Sequence, residues 1–384
     1  HKTIYQSIGV ASLTITPFFT FQVTAGECAT GTAPTAGCTI TADDTTYTMT
    51  GNIAASSSYG INFISGSDNN VLTYTGNIST SDSHLHALYL GTSDNNTTTI
   101  NGNINTSGAA AYGLVLENSD NNNTTINGNI STSVGTSAPS ARGMYIYQSD
   151  NNTTTINGNI ITTEGYGDGL YLRDSHSNTI IINGNMSLSG SFANGLNVEI
   201  STGNIITNLG TISASSYGIS LYHHSTTIAT LNNKQSGLTY YRKVPTNYNI
   251  IIRGDTDYGQ TTFTSASGSM TFGIDLTNSG TGIGDKTYED VLTGIAASGV
   301  LTATTGSSGG ASWSLAHDGT NWDLTITGAL SGSYYSGPST ASTLTSIQSA
   351  SYGVASQFAG YAMSTNYANM NTYDCGLFDQ DGGC

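Results

Sequence analysis

The sequence is short of charge, and above all of positive charge. Charged residues make up 8% of its 384, and eight Lys plus Arg face 24 Asp plus Glu, for a formal net charge of −16. Counterion-release binding to nucleic acid needs clustered cations, and none stands out along the chain. Nucleic acid is therefore set aside as a partner. An acidic, cation-poor surface also opposes docking on anionic lipid. Apolar residues are scarce too, at 36%. Disordered chains usually combine low hydrophobicity with high charge, but here Thr, Ser, Asn and Gly stand where the charges would be. Thr, Ile and Tyr favour strands, and Asn, Gly and Asp favour turns. The composition points to an all-β protein of many short strands.

Other absences narrow the chemistry. No phosphate loop or dinucleotide fingerprint occurs, and no cofactor is expected. Ser is so abundant that no Ser-His-Asp set can be picked out. After residue 25 no apolar run is long enough to span a membrane. Residues 1–25 read as an export signal: Lys2 gives the positive start, Ile8 to Val23 is largely apolar, and Val23-Thr24-Ala25 offers small residues before a cut. A buried N-terminal strand is the alternative. Cysteines number four. Cys28 with Cys38, and Cys375 with Cys384, would each close a short loop, as expected of disulfides in an exported chain. Four free thiols are the other reading.

What the chain does have is a repeat. Ser-Asp-Asn-Asn-Thr-Thr-Thr-Ile-Asn-Gly-Asn-Ile begins at Ser93 and returns nearly unchanged from Ser119 and Ser149. The glycines Gly51, Gly76, Gly102, Gly128, Gly158, Gly184 and Gly210 are spaced by 25, 26, 26, 30, 26 and 26 residues, the long step holding an insertion at 134–140. A second landmark, Gly followed by alternating apolar residues, keeps the same beat at Gly113-Leu114-Val115-Leu116 and its equivalents. A fixed period of this size marks a repeat architecture. The absence of helical periodicity leaves a parallel β-helix, with coils stacked about 4.8 Å apart. Seven coils are expected over 51–231. Ile100, Ile104, Leu114 and Leu116 would face inward, Thr and Asn outward, with Asn amides bonding to one another up the stack.

After about Leu231 the beat stops. Residues 232–330 hold strand-like runs and both tryptophans, and read as a β-rich cap after the N-terminal cap at 26–50. A linker at 331–342 leads to a helix at 343–373, predicted from Leu344, Ile347, Ser351, Val354, Phe358 and Tyr361. Residues 374–384 would form a disulfide-closed end.

In that order these segments resemble the passenger region of a type V autotransporter. The residues that carry the resemblance are the Asn-Thr-Thr-Ile-Asn-Gly-Asn-Ile repeats, Ser267 to Ile274, Asn321 to Leu324, and Tyr373 to Cys384. It implies a right-handed parallel β-helix, an autochaperone-like segment at 232–330, and export to the surface or exterior of a Gram-negative bacterium. It also implies an outer-membrane β-barrel translocator as partner, which does not follow in this chain before Cys384.

The function expected is structural or adhesive. The insertion, with Val134 and Gly135, and the strand tyrosines, with Tyr145 and Tyr171, are the candidate contacts for a surface glycan or protein. A polysaccharide-degrading enzyme is the alternative. It would need paired carboxylates, and Asp150, Asp168 and Asp174 are the only local group. A filament subunit, self-associating through an open coil end, is a third reading. The turn aspartates Asp68, Asp94 and Asp120 could hold calcium, although turn initiation explains them without it. His84 with His86, and His223 with His224, are too few for zinc. Arg142 and Arg173 occupy non-equivalent places and are not expected to converge.

Overall fold

Each full turn of the chain is built from three short strands, and alternation within each decides what faces in. In Thr97–Asn101 the buried residues are Thr98 and Ile100, in Ile104–Thr106 they are Ile104 and Thr106, and in Leu114–Glu117 they include Leu114 and Leu116. The next turn lies parallel and in register, with Ile100 beside Ile126, Ile104 beside Ile130 and Leu114 beside Met144. Repetition yields three sheets. A 15-stranded sheet carries most of the surface tyrosines, an 11-stranded sheet carries the threonine runs, and the third has seven short strands. The inward Ile, Leu and Met columns fuse into one continuous core. Each such side chain contributes roughly 1.5–3 kcal/mol on burial.

The computed structural model describes residues 25–133, 141–163 and 167–334. The expected export signal (all but its last residue), the insertion at 134–140 with Val134 and Gly135, and most of the linker lie outside the described residues. So do the 343–373 helix and the Cys375–Cys384 pair. Cys28 and Cys38 form the expected disulfide. No helix occurs among the described residues.

The polar repeat is explained letter by letter at the turn after each tyrosine-sheet strand. The Ser119 N–H donates to Ser149 Oγ in the following turn at 3.0 Å. The Asp120 N–H donates back to Asp94 Oδ1 at 2.7 Å. Asn121 takes a left-handed backbone, φ 58°, which Asn tolerates better than most residues. The Asn122 N–H donates to Asn152 Oδ1 at 2.8 Å, and its own Nδ2 reaches the Ser93 carbonyl at 3.0 Å. The same bonds recur at the neighbouring turns.

The outward assignment of Thr and Asn needs correction. The Asn96, Asn122, Asn152 and Asn178 column is buried and bonds side chain to backbone. Amide-to-amide stacking belongs to an exposed column, Asn101, Asn127, Asn157 and Asn183. Thr80, Thr106 and Thr162 also turn inward, where their hydroxyls donate to the Leu85, Ala111 and Gly167 carbonyls and pin the corner after the short strand. The glycine of Gly-Asn-Ile is fixed by close approach, since a Cβ on Gly128 would stand 2.1 Å from the Gly102 carbonyl oxygen.

The stack has about nine turns rather than seven. Parallel pairing continues past Leu231, through Leu238–Lys243 onto Thr261–Ser267 and through Asn247–Ile250 onto Thr271–Ile274. The beat is lost because the step between stacked residues shortens, to 17 at the Asn249–Asn232 contact. The short sheet has ended by then, at Ile212–Ser213. Gln235 closes its edge: Oε1 accepts the Ile212 N–H at 2.8 Å and Nε2 donates to the Ile212 carbonyl at 3.1 Å. An amide side chain thereby imitates the missing strand.

The solenoid is then covered by antiparallel strands. Thr281–Thr293 pairs with Asn321–Ser331, which pairs with Ala311–His317. Trp313 packs edge-on against Phe272 at 5.3 Å, and Trp322 Nε1 donates to the Ile295 carbonyl at 3.2 Å.

Candidate binding face

The 15-stranded sheet presents three columns of side chains to the outside. One precedes each strand. The Gly60 N–H bonds to the His86 carbonyl, Ala87 to Tyr112, Gly113 to Arg142 and Gly143 to Asp168, so Tyr59, His86, Tyr112, Arg142 and Asp168 stand in successive turns. The second runs up the strand centres, with Tyr89, Val115, Tyr145, Tyr171 and Asn197 paired in turn. The third, at the strand ends, holds Glu117, Tyr147, Arg173 and Glu199.

The rings form a ladder. His86 stacks between Tyr59 at 5.4 Å and Tyr112 at 4.9 Å, and Tyr59 stacks on Tyr89 at 4.8 Å. Tyr145 stacks on Tyr171 at 5.5 Å and on Tyr147 at 5.8 Å. The Arg142 guanidinium lies over Tyr171, 4.3 Å from its centroid, and also over Tyr112 and Tyr145. Arg173 lies over Tyr147 at 5.8 Å. The two arginines do hold non-equivalent places, yet the ladder brings both to its tyrosines.

Partners and burial set the protonation of this face. Tyr89 donates to Glu117 at 2.7 Å and Tyr171 donates to Glu199. Burial, then the carboxylate partner, pushes both phenols up. Tyr145 is pushed up to about 12 by burial. The phenols therefore stay protonated donors at neutral pH. Burial, then His84, pushes His86 down to about 4. Its Nδ1 accepts the Tyr112 N–H at 3.0 Å, which requires a neutral ring. Burial raises the Asp168 carboxyl, against the pull of Asn194, Asn197 and Arg142. Neutral donors, π faces, a guanidinium and carboxylates on one surface suit a polyhydroxylated ligand.

Of the residues singled out from sequence, Tyr145 and Tyr171 lie on this face. Asp68, Asp94, Asp120 and Asp150 form the turn ladder, each accepting a backbone N–H of the following turn. Asp168 and Asp174 flank the strand Leu170–Arg173 at opposite ends. Six residues at about 3.3 Å each separate them by roughly 20 Å, beyond the roughly 5–9.5 Å of a glycosidase pair. Asp174 lies beside Arg173 at 3.9 Å. His84 and His86 do not share a strand face: His84 is exposed in a turn with φ 62° and His86 lies in the ring stack. Among the described residues no three His, Cys, Asp or Glu gather to hold a metal.

Sequence reasoning missed Tyr59, Tyr112, Glu117 and Glu199, and weighed His86 only as a zinc ligand. The residue before each Gly-apolar strand was a legible column at the repeat's own spacing. The short sheet also carries a groove of about 280 Å³ lined by Ser79, Asn105 and Ser131 among others, with no charged group. No protein-family model matches the chain, and neither a curated protein nor a solved structure matches it.

Proposed function

We propose that this β-helix is the exported, non-catalytic passenger of an autotransporter-like protein, and that its tyrosine ladder adheres to glycan at a surface. One observation carries the reading. Aromatic and ionic side chains are segregated onto one sheet, while the other two expose mainly Thr, Ser and Asn. A solenoid stabilised only by stacking has no need of that asymmetry. Ring edges and phenol hydroxyls spaced by one turn offer successive contacts for the sugars of an extended chain, with Glu117, Glu199 and Arg142 to bond hydroxyls. The barrel partner and the bacterial surface follow from the resemblance alone.

The test is binding of the full chain to a panel of oligosaccharides, measured beside the Tyr145→Ala/Tyr171→Ala double variant. Loss of two rungs of the ladder is expected to weaken binding at least about tenfold, at about 1.4 kcal/mol per decade, with the β-sheet circular dichroism unchanged. Equal binding by a folded variant would remove this face from the proposal. The enzymatic alternative keeps one point in favour, the buried Asp168 carboxyl raised beside Arg142 and the Asn194 and Asn197 amides. Release of reducing ends from any of the same polysaccharides, abolished in Asp168→Asn, would favour it.

A further inference from the structure

A second site lies further along the same sheet, where the 26-residue period has broken down. A cavity of about 280 Å³ opens between the segment after Ile219–Leu221 and the paired strands Leu238–Lys243 and Thr261–Ser267. Tyr222, His223 and His224 line one side, and Arg242 and Lys243 another. The hydroxyl residues Ser265 and Ser267 complete the wall, and no carboxylate contributes to it.

We propose that this cavity is a binding site for a tetrahedral oxyanion, a sulfate or phosphate ester. The first argument is charge. In a chain of net charge −16 with eight Lys and Arg, Arg142, Arg173, Lys234 and Lys286 pair with carboxylates. Arg242 and Lys243, adjacent in sequence, have no carboxylate within 4.0 Å among the described residues. The sequence shows no cluster of cations, because Arg242 and Lys243 meet the two histidines only through the stacking of turns.

The second argument is how the two cations are held. The strand register slips between Tyr241 and Lys243, and left-handed backbone occurs on both strands, at Arg242 (φ 79°) and Ser265 (φ 57°). Bulges re-aim side chains beside sites, and such conformations are costly away from glycine. Arg242 donates to the Tyr222 carbonyl and lies over the Tyr241 ring at 5.0 Å. That leaves the rest of its planar fork for an oxyanion. The Lys243 stem runs past Gly268, where a Cβ would lie 3.5 Å from its Cγ. Its ammonium makes no hydrogen bond among the described residues. His223 Nδ1 is engaged by Ser225 Oγ at 2.7 Å, which orients that ring.

The third argument is donor number. A guanidinium, an ammonium, two imidazoles and two hydroxyls point to a group with three or four acceptor oxygens rather than a carboxylate with two. Tyr222, 65% exposed at the rim, gives the carrier of that group a ring to lie on.

Inorganic sulfate and phosphate titrated into the full chain should give saturable NMR shifts confined to 222–225, 241–243 and 264–267. Lys243→Gln should weaken this about tenfold to a hundredfold, as expected for one charge-assisted hydrogen bond. Arg242→Gln should do the same, with circular dichroism confirming the fold. Lys243→Gln, which removes no hydrogen bond of the protein, decides the matter if Arg242→Gln unfolds. Lys234→Gln is the control and should change nothing. The source of the ester is read by comparing a sulfated oligosaccharide with its desulfated form, and vesicles with and without phosphorylated headgroups. Preference for the ester-bearing form in either pair supports the site and names its carrier. No saturable response to either ion, or a response unchanged in Lys243→Gln, overturns it. None of these outcomes bears on the tyrosine ladder, which is tested by neutral glycans.

Discussion

At the scale of single residues, burial and the neighbour one turn away decide what a side chain does. Thr124 shows the rule by violating it. Its column runs Leu72, Thr98, Thr124, Thr154, Ile180, Ile206, apolar at both ends. The Thr98, Thr124 and Thr154 hydroxyls are buried without a hydrogen-bond partner among the described residues. Thr124→Val removes an unsatisfied group and keeps the shape, and should stabilise the fold by about 1 kcal/mol; a lower urea midpoint would mean that the hydroxyl has a partner. His86 gives the opposite case. Its folded pKa of about 4 lies below the ordinary imidazole value, so the unfolded chain takes up the proton first as pH falls. The stability from neutral His86 is present above about pH 6.5 and is lost toward pH 4, up to about 3 kcal/mol. An imidazole NMR titration should show a midpoint near 4, and His86→Gln should flatten the fall in stability over that window. A midpoint near 6.5 would show that the ring is solvated rather than stacked.

At the scale of the element, one turn contacts only the turns on either side. Deleting residues 104–129, one 26-residue repeat, places Ile130 on Ile78 and restores every column in register. Nearest-neighbour stacking predicts that this variant folds, with a cooperative melt and slightly lower stability. Deleting 104–116 instead offsets all three sheets and should leave a protease-sensitive chain. Equal stability of the two variants would show that register does not hold the stack together. Much of the element scale is legible in sequence. Ile100, Ile104, Leu114 and Leu116 are buried where alternation placed them, because a period of two on each strand and 26 between strands leaves no other face. Thr98 and Asn96 were misassigned outward because their polarity was read as exposure, although the period of two running back from Ile100 places both inward.

At the scale of the solenoid, the question is how the stack stops. The covering strands Thr281–Thr293, Ala311–His317 and Asn321–Ser331 shield the last turn with Leu292, Trp313 and Trp322. An uncovered turn is an unpaired sheet edge. A chain lacking residues 281–334 should associate in a concentration-dependent way, seen by sedimentation velocity, while the full-length chain does not. A monomeric truncated chain would place the terminator elsewhere, at Gln235 for instance.

The sequence by itself determined the period and the inward Ile and Leu columns; it offered the Cys28–Cys38 pair as a disulfide, which the fold closes, and marked the repeat glycines without the close approach that fixes them. In a solenoid of constant step, a residue's spatial neighbour is its sequence neighbour one period away, so the contact map is written in the spacing. The tertiary structure decided the rest. It joined two columns, Tyr59, His86, Tyr112 and Arg142 before the strands and Tyr89, Tyr145 and Tyr171 at their centres, into one ladder. It carried the stack two turns beyond the last clear repeat, and it set Tyr222 beside Arg242. There the step between turns changes and a bulge slips the register, so no fixed spacing links one residue to the residue it will meet.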